Sequence, residues 1–194
     1  MTRSAITVRD AHEDDVPDLL TMWEELRVLG SRLERMIPHV DADAVLGRLK
    51  LIADDPESRA LVAELDDRVV GMTVLTATPY APLFDQRAVH AHYLHVRDGY
   101  RKRGVGRALL GAAVSFADEI GAEHVITSVL PHLRDTQRFY ARLGFGPMVV
   151  RRSVPVSVLR RRLSGAPVPS LVGHLVARRR SLRRVRSTLA STVD

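Results

Sequence analysis

The chain has no cysteine among its 194 residues. Disulfides, thiolate metal sites and cysteine nucleophiles are therefore excluded. The absence fits a reducing compartment, and the expected location is cytoplasmic. No apolar run approaches the roughly 20 residues that a membrane helix needs. The opening "MTRSAITVRDAHEDD" lacks the apolar stretch of a secretory signal and turns acidic quickly. No internal repeat occurs, and neither GxxxxGK[ST] nor GxGxxG is found. Acids are almost missing from one end. Residues 151–194 hold eleven Arg, no Lys and a single acid, Asp194, for a charge of +10. The net charge of +6 therefore leaves residues 1–150 at −4. That basic end also has no aromatic residue, which weakens any reading as a base-stacking platform for single strands.

What is present reads as one soluble domain with an appendage. The apolar fraction is 45%, and a chain this long can bury a core without staples. Residues 5–11 read as a strand. Asp14 or Asp15 can cap a helix with Pro17 in its first turn and Val16, Leu19, Leu20, Trp23 and Leu26 on one face. Asp41 can start a second helix through Val45, Leu49 and Ile52. Two β-rich runs flank "LDDR" as a hairpin. "AVHAHYLHV" reads as a longer strand, and Gly121 ends the helix that follows it. "AEHVITSVL" reads as a strand, "LRDTQRFYARLGF" as a helix closed by Gly144, and "PMVVRRSVPVSVL" as one or two strands. The order β-α-α-β-β-β-α-β-α-β predicts an α/β (α+β) fold, with a mixed sheet and helices on both faces. "SGAPVPS" reads as a linker. Leu171, Leu175, Leu182, Val185, Leu189 and Val193 then recur at helical spacing with Arg between them, which predicts a basic amphipathic helix.

The stretch "HAHYLHVRDGYRKRGVGRALL" runs from strand to helix through five basic residues and three glycines. Gly104 and Gly106 let a ligand approach the backbone closely. The next helix points its free N–H groups and positive dipole end at the same loop. Arg101, Lys102, Arg103 and Arg107 add charge. The sum suits a pyrophosphate, although a solvated basic turn would carry the same residues.

The segment Arg101-Lys102-Arg103-Gly104-Val105-Gly106 resembles the [QR]-x-x-G-x-[GA] pyrophosphate motif of the Gcn5-related N-acetyltransferases (GNAT). "RFYARLGF" resembles a second signature of that family, one strand and one helix later. The resemblance covers about residues 5–158 and implies a mostly antiparallel GNAT-like sheet. It also implies transfer of an acetyl group from acetyl-CoA to an amine. On that resemblance Arg101, Lys102, Arg103, Gly104, Val105, Gly106 and Arg107 hold the CoA pyrophosphate. The backbone of Leu94, His95 and Val96 binds the pantetheine arm and polarises the thioester carbonyl. Tyr140 matches the family tyrosine that protonates the departing thiolate. The family often has Asn seven residues before this tyrosine and Ala four before. Here those positions are Leu133 and Thr136, which puts the detail of arm binding in doubt.

Alternation along a strand places His90 and His92 on one face and His95 on the other. An imidazole with an ordinary pKa of about 6.5 can take the proton of an ammonium substrate. The His-x-His pattern is similar to that of the arylalkylamine N-acetyltransferases, where the pair is implicated in proton relay. A structural role for both histidines stays open. Glu24, Glu25 and Glu34 fall in the region that lines the acceptor site in this fold; one of them could bind a cationic amine, but a solvated helix face is the preferred reading.

The expected organisation is an acetyltransferase domain over residues 1–158 and an Arg-rich linker and helical tail over 159–194, with no metal. The tail could contact nucleic acid through phosphates, an anionic membrane surface, an acidic protein, or a second subunit in a homodimer. Two functions follow. One is an acetyl-CoA-dependent N-acetyltransferase acting on a primary amine of a small molecule or protein. The other is a non-catalytic acyl-CoA-binding module whose tail binds nucleic acid or a partner.

Overall fold

The computed structural model describes residues 5–29, 39–80, 83, 85–130, 132–150 and 152–164. The chain divides into two compact units, one ending at Gly144 and the other beginning at Phe145. The first unit opens with β1 (Thr7–Asp10), a single 3-10 turn at Glu13–Asp15, and α1 (Val16–Leu29). Neither Asp14 nor Asp15 acts as a simple N-cap. Asp15 is buried and reaches back, accepting 2.7 and 2.8 Å bonds from Arg9 and a 2.8 Å bond from the His12 N–H. A bidentate, charge-assisted pair of this kind fixes the angle between β1 and α1. Asp41 does cap α2 (Ala42–Ala53), accepting from the Ala44 N–H at 2.8 Å.

The hairpin forms as expected between β2 (Ser58–Leu65) and β3 (Arg68–Pro79). Asp66 and Asp67 both take positive φ, 54° and 58°, the two-residue geometry whose twist matches antiparallel strands. β4 (Arg87–Val96) pairs antiparallel with β3. α3 (Val105–Ile120) follows, stopped by Gly121 at φ 69°. It leads to β5 (His124–Thr127), which joins β4 in parallel, and to α4 (Arg134–Ala141). The five strands lie in chain order across one mixed, mostly antiparallel open sheet.

Two cores cover the two faces of that sheet. On one, Leu61, Leu75, Val89 and Ala91 pack against Val105, Leu109, Ala113 and Phe116 of α3. On the other, Met22 of α1 meets Val62, Val69 and Met72, with Leu19, Trp23 and Leu26 around it. Each fully buried side chain of this size is worth about 1.5–3 kcal/mol relative to exposure. Both α3 and α1 are thereby pressed onto the sheet beside β4.

The second unit departs from expectation. Among its described residues no strand forms over 147–155, and Val156–Leu163 is a helix, α5. The β-branched residues of "VVRRSVPVSV" read as strand, yet a strand needs a ladder partner. Pro155 instead sits at the N-cap of α5, where its missing N–H costs nothing, and Arg160, Arg161 and Arg162 complement the C-terminal dipole. The linker and amphipathic helix expected beyond residue 164 lie outside the described residues.

Candidate active site

β4 changes character halfway along. Its pairing with β5 runs from Ala88 opposite His124 to Ala91 opposite Thr127, where β5 ends. β4 continues to Val96. From His92 outward its β5 side has no ladder partner among the described residues, while its β3 side stays paired. A wedge therefore opens between the strands. Arg97 N–H donates to Val70 O at 3.0 Å, toward β3. Strand alternation then turns the His95 N–H the same way and the Leu94 and Val96 N–H groups toward the wedge. Of the three residues expected to supply amides, His95 thus offers its side chain instead.

That side chain is not where simple alternation puts it. Met72 pairs with His95 and Val74 with His92. Two residues of β4, Tyr93 and Leu94, thus face the single residue Thr73. Tyr93 takes φ 53°. The extra residue reverses the facing of everything after it, so His95 shares a face with His90 and His92 rather than opposing them. The expectation of opposite faces fails because period-two alternation holds only in an unbulged strand. The His90 and His92 rings stack at 5.8 Å, and His92 Nε2 lies 2.9 Å from the Thr76 hydroxyl. Both rings are half-buried. Tyr93 packs on Trp23 of α1 at 4.9 Å. His95 is 4% exposed and pairs through Nε2 with Glu25 of α1 at 2.7 Å. Burial holds its pKa below the ordinary value, against the opposing pull of Glu25.

Tyr140 stands where the strands part. It is buried, and its hydroxyl lies 3.3 Å from Thr127 Oγ1, which in turn donates to the Ala91 carbonyl at 3.2 Å. Ala91 and Thr127 are the last paired residues of β4 and β5. Burial raises the phenol pKa and the Thr127 hydroxyl acts the other way. Thr127 carried no sequence signal: "VITSVL" reads only as strand.

The basic loop lies at the outer end of the wedge. A 3-10 turn at Asp98–Tyr100 leads into it, Lys102 takes φ 62° and Gly104 φ 102°. The left-handed turn at Gly104 requires glycine and starts α3. Helix geometry leaves the Val105 and Gly106 N–H groups without an acceptor inside α3. Gly106 is small for a different reason than ligand approach alone, because a Cβ there would stand 3.2 Å from the Phe139 ring of α4. Arg101, Lys102, Arg103 and Arg107 are all exposed. They are not equally available to an anion. Arg101 donates to Val96 O at 3.1 Å and pairs with Asp98 at 2.8 Å, and Arg103 lies 5.5 Å over the Tyr100 ring.

A cleft of about 520 Å³ opens between α1 and the end of β4, with Glu24, Glu25 and Val28 on one side and His95 on the other. Glu24 is paired with Arg27 at 2.6 Å. Glu34 lies outside the described residues, and Leu133 occupies the N-cap of α4. Among the described residues no group of three or more His, Asp or Glu is placed to hold a metal ion. No helix among them is long and apolar enough to cross a membrane.

The sequence profile of the acetyltransferase (GNAT) family matches residues 21–145, from within α1 to the first residue of the second unit. The chain belongs to this family. An uncharacterized N-acetyltransferase of Mycobacterium tuberculosis is 31% identical over 112 residues, 58% of this GNAT chain and 68% of that protein. A transcriptional regulator from Bacillus halodurans superposes with a TM-score of 0.67 at 24% identity, covering 78% of this chain and 99% of the other. An aminoglycoside N-acetyltransferase in complex with CoA superposes with a TM-score of 0.61 at 19% identity, covering 78% and 95%. At these identities the two structures establish the shared fold. The GNAT-like sheet expected from the sequence is the one observed.

Proposed function

We propose that this GNAT chain is an N-acetyltransferase that moves the acetyl group of acetyl-CoA directly to a primary amine. The observation that carries the reading is the parting of β4 and β5 at Ala91 and Thr127, with the Tyr140 hydroxyl at that point. The wedge exposes strand N–H groups on one side and ends at a helix N-terminus set in basic charge. A long acyl carrier with a pyrophosphate fits such a slot, and the CoA bound to the aminoglycoside N-acetyltransferase neighbour supports the assignment.

In this reading the Val105 and Gly106 amides, with Lys102 and Arg107 near them, hold the pyrophosphate. The Leu94 and Val96 amides bond the pantetheine arm and the thioester carbonyl. Fixed donors stabilise the negative charge that develops on the carbonyl oxygen without reorganising. His90 or His92 takes a proton from the ammonium, directly or through water, so that the free nitrogen attacks. The C–N bond forms, the C–S bond breaks, Tyr140 gives its proton to the sulfur, and the second proton of the acylated nitrogen leaves to restore the phenol, directly or through water. Burial raises the phenol pKa, and the same dry surroundings raise that of the thiol, so the two stay matched. We extend the reading to a cytoplasmic enzyme of one catalytic domain, residues 1–158, with a basic tail that contacts acidic partners.

Calorimetric titration with acetyl-CoA and CoA, with ATP and NAD as controls, tests the reading. Micromolar binding of acetyl-CoA and CoA alone supports it. Failure of both to bind refutes it and returns the glycine-rich loop to a structural turn.

A further inference from the structure

We infer that the β4 bulge is clamped from both faces of the sheet, and that Thr73 and the Glu25–His95 pair are positioning residues that aim the Leu94 and Val96 amides. The inference rests on the acetyl-transfer reading above for its chemical consequence, but not for its geometry.

A bulge interrupts the ladder and loosens the backbone beside it. Here the His92 carbonyl, at the edge of the bulge, gains a side-chain donor. Thr73, the one β3 residue opposite the bulge, is 1% exposed, and its hydroxyl donates to His92 O at 3.0 Å. Thr73 pairs with Leu61 of the α3-side core, so its side chain acts from that face. From the α1 face, Glu25 holds His95 at 2.7 Å, two residues past Tyr93. Between these two fixed points Tyr93 is kept at φ 53°, a conformation that an aromatic side chain rarely adopts unaided.

The clamp decides two things together. Removing the extra residue would slip the register by one. His95 would move to the α3 face, away from Glu25, and the N–H groups facing the wedge would change from Leu94 and Val96 to their neighbours. The contact with α1 and the direction of the amides are therefore one variable. Neither Thr73 nor Glu25 needs to touch substrate to govern how the thioester carbonyl is held.

Thr73→Val tests this, because it keeps the shape of a buried side chain and removes only the hydroxyl. Amide hydrogen exchange at His95, whose N–H is directed at β3, should speed up about tenfold in the full-length protein, the scale of one lost hydrogen bond, while the melting temperature moves by no more than about 5 °C. Infrared spectra of bound acetyl-CoA labelled with carbon-13 at the acetyl carbonyl should show its stretch shifted back toward the free value. Thr73→Ser should restore both, and Glu25→Gln should show the same trend as Thr73→Val. If Thr73→Val keeps wild-type exchange and carbonyl frequency, Thr73 is packing alone and the inference fails. If Thr73→Val does not fold, Glu25→Gln decides by the same two readouts. A wild type that does not bind acetyl-CoA overturns the proposed function and the chemical half of this inference. The exchange rates then still confirm or refute the clamp.

Discussion

The two halves of β4 share a strand but not an environment. From Ala88 to Ala91 the backbone is paired on both sides, by β3 and β5, and the strand is ordinary sheet. From Tyr93 to Val96 it is paired on the β3 side, bulged, and open toward the wedge. In the proposed function the inner half carries its chemistry on side chains, His90 and His92, and the outer half carries it on the backbone, at Leu94 and Val96, with side chains to hold that backbone still. The contrast shows how a sheet makes a site without a dedicated loop: it ends one strand early and lets the neighbour continue.

Removing the group at the boundary between the halves should have the largest effect. Tyr140→Phe should lower turnover about 10²- to 10⁴-fold while CoA affinity by calorimetry stays within about twofold. Unchanged turnover would mean that the boundary is structural. Replacing the inner-half pair, His90→Ala with His92→Ala, should lower kcat at neutral pH about 10- to 100-fold. The pH-rate profile should lose its acidic limb, and retention of that limb would place the base elsewhere. In the outer half, Gly71 pairs with Val96. A Cβ there would meet Val105 Cγ1 at 2.9 Å and His95 O at 3.0 Å. Gly71→Ala should therefore cost about 1–3 kcal/mol by urea denaturation. Gly47→Ala on α2, where a Cβ meets nothing within 4 Å, should be neutral or stabilising by up to about 1 kcal/mol.

The pH dependence of the outer half is smaller and has a definite sign. Burial keeps the folded His95 pKa below its unfolded value of about 6.5. The unfolded chain therefore binds the proton first, and stability falls as pH drops below about 6.5 toward the folded value. Urea midpoints at pH 7.5 and 5.5 should differ less in His95→Gln than in wild type.

Much of the scaffold was legible because local chemistry decides it. Asp41 announced α2, Asp66 and Asp67 the hairpin, Gly121 the end of α3, and the apolar spacing of α1 its buried face. The glycine loop and Tyr140 were legible through their spacing in the GNAT signatures. The facing of His95 was not, because nothing in "HAHYLHV" marks a bulge. The bulge shows only in the pairing with β3, where Thr73, nineteen residues before His92, stands opposite it. Thr127, and the pairing of Glu25 with His95, escaped for the same reason, since a threonine in a strand and a glutamate on a helix gain their meaning from partners distant in sequence. The strands expected near residue 150 failed in the opposite sense. Their β-branched residues promised a ladder, and Pro155 with three arginines made a helix instead.

The packing of Gly106 under the Phe139 ring joins the two GNAT signatures into one heritable unit. With only 3.2 Å between a would-be Cβ and the ring, a side chain at 106 is compatible only with a smaller or displaced residue at 139. Variation at the two positions should therefore be conditional, each change tolerated on the background of the other and harmful alone. Phe139 is the neighbour of Tyr140, so relieving that crowding would also shift the phenol. The route by which such a protein could diversify its proposed cofactor loop thus runs through the residue beside its proposed acid.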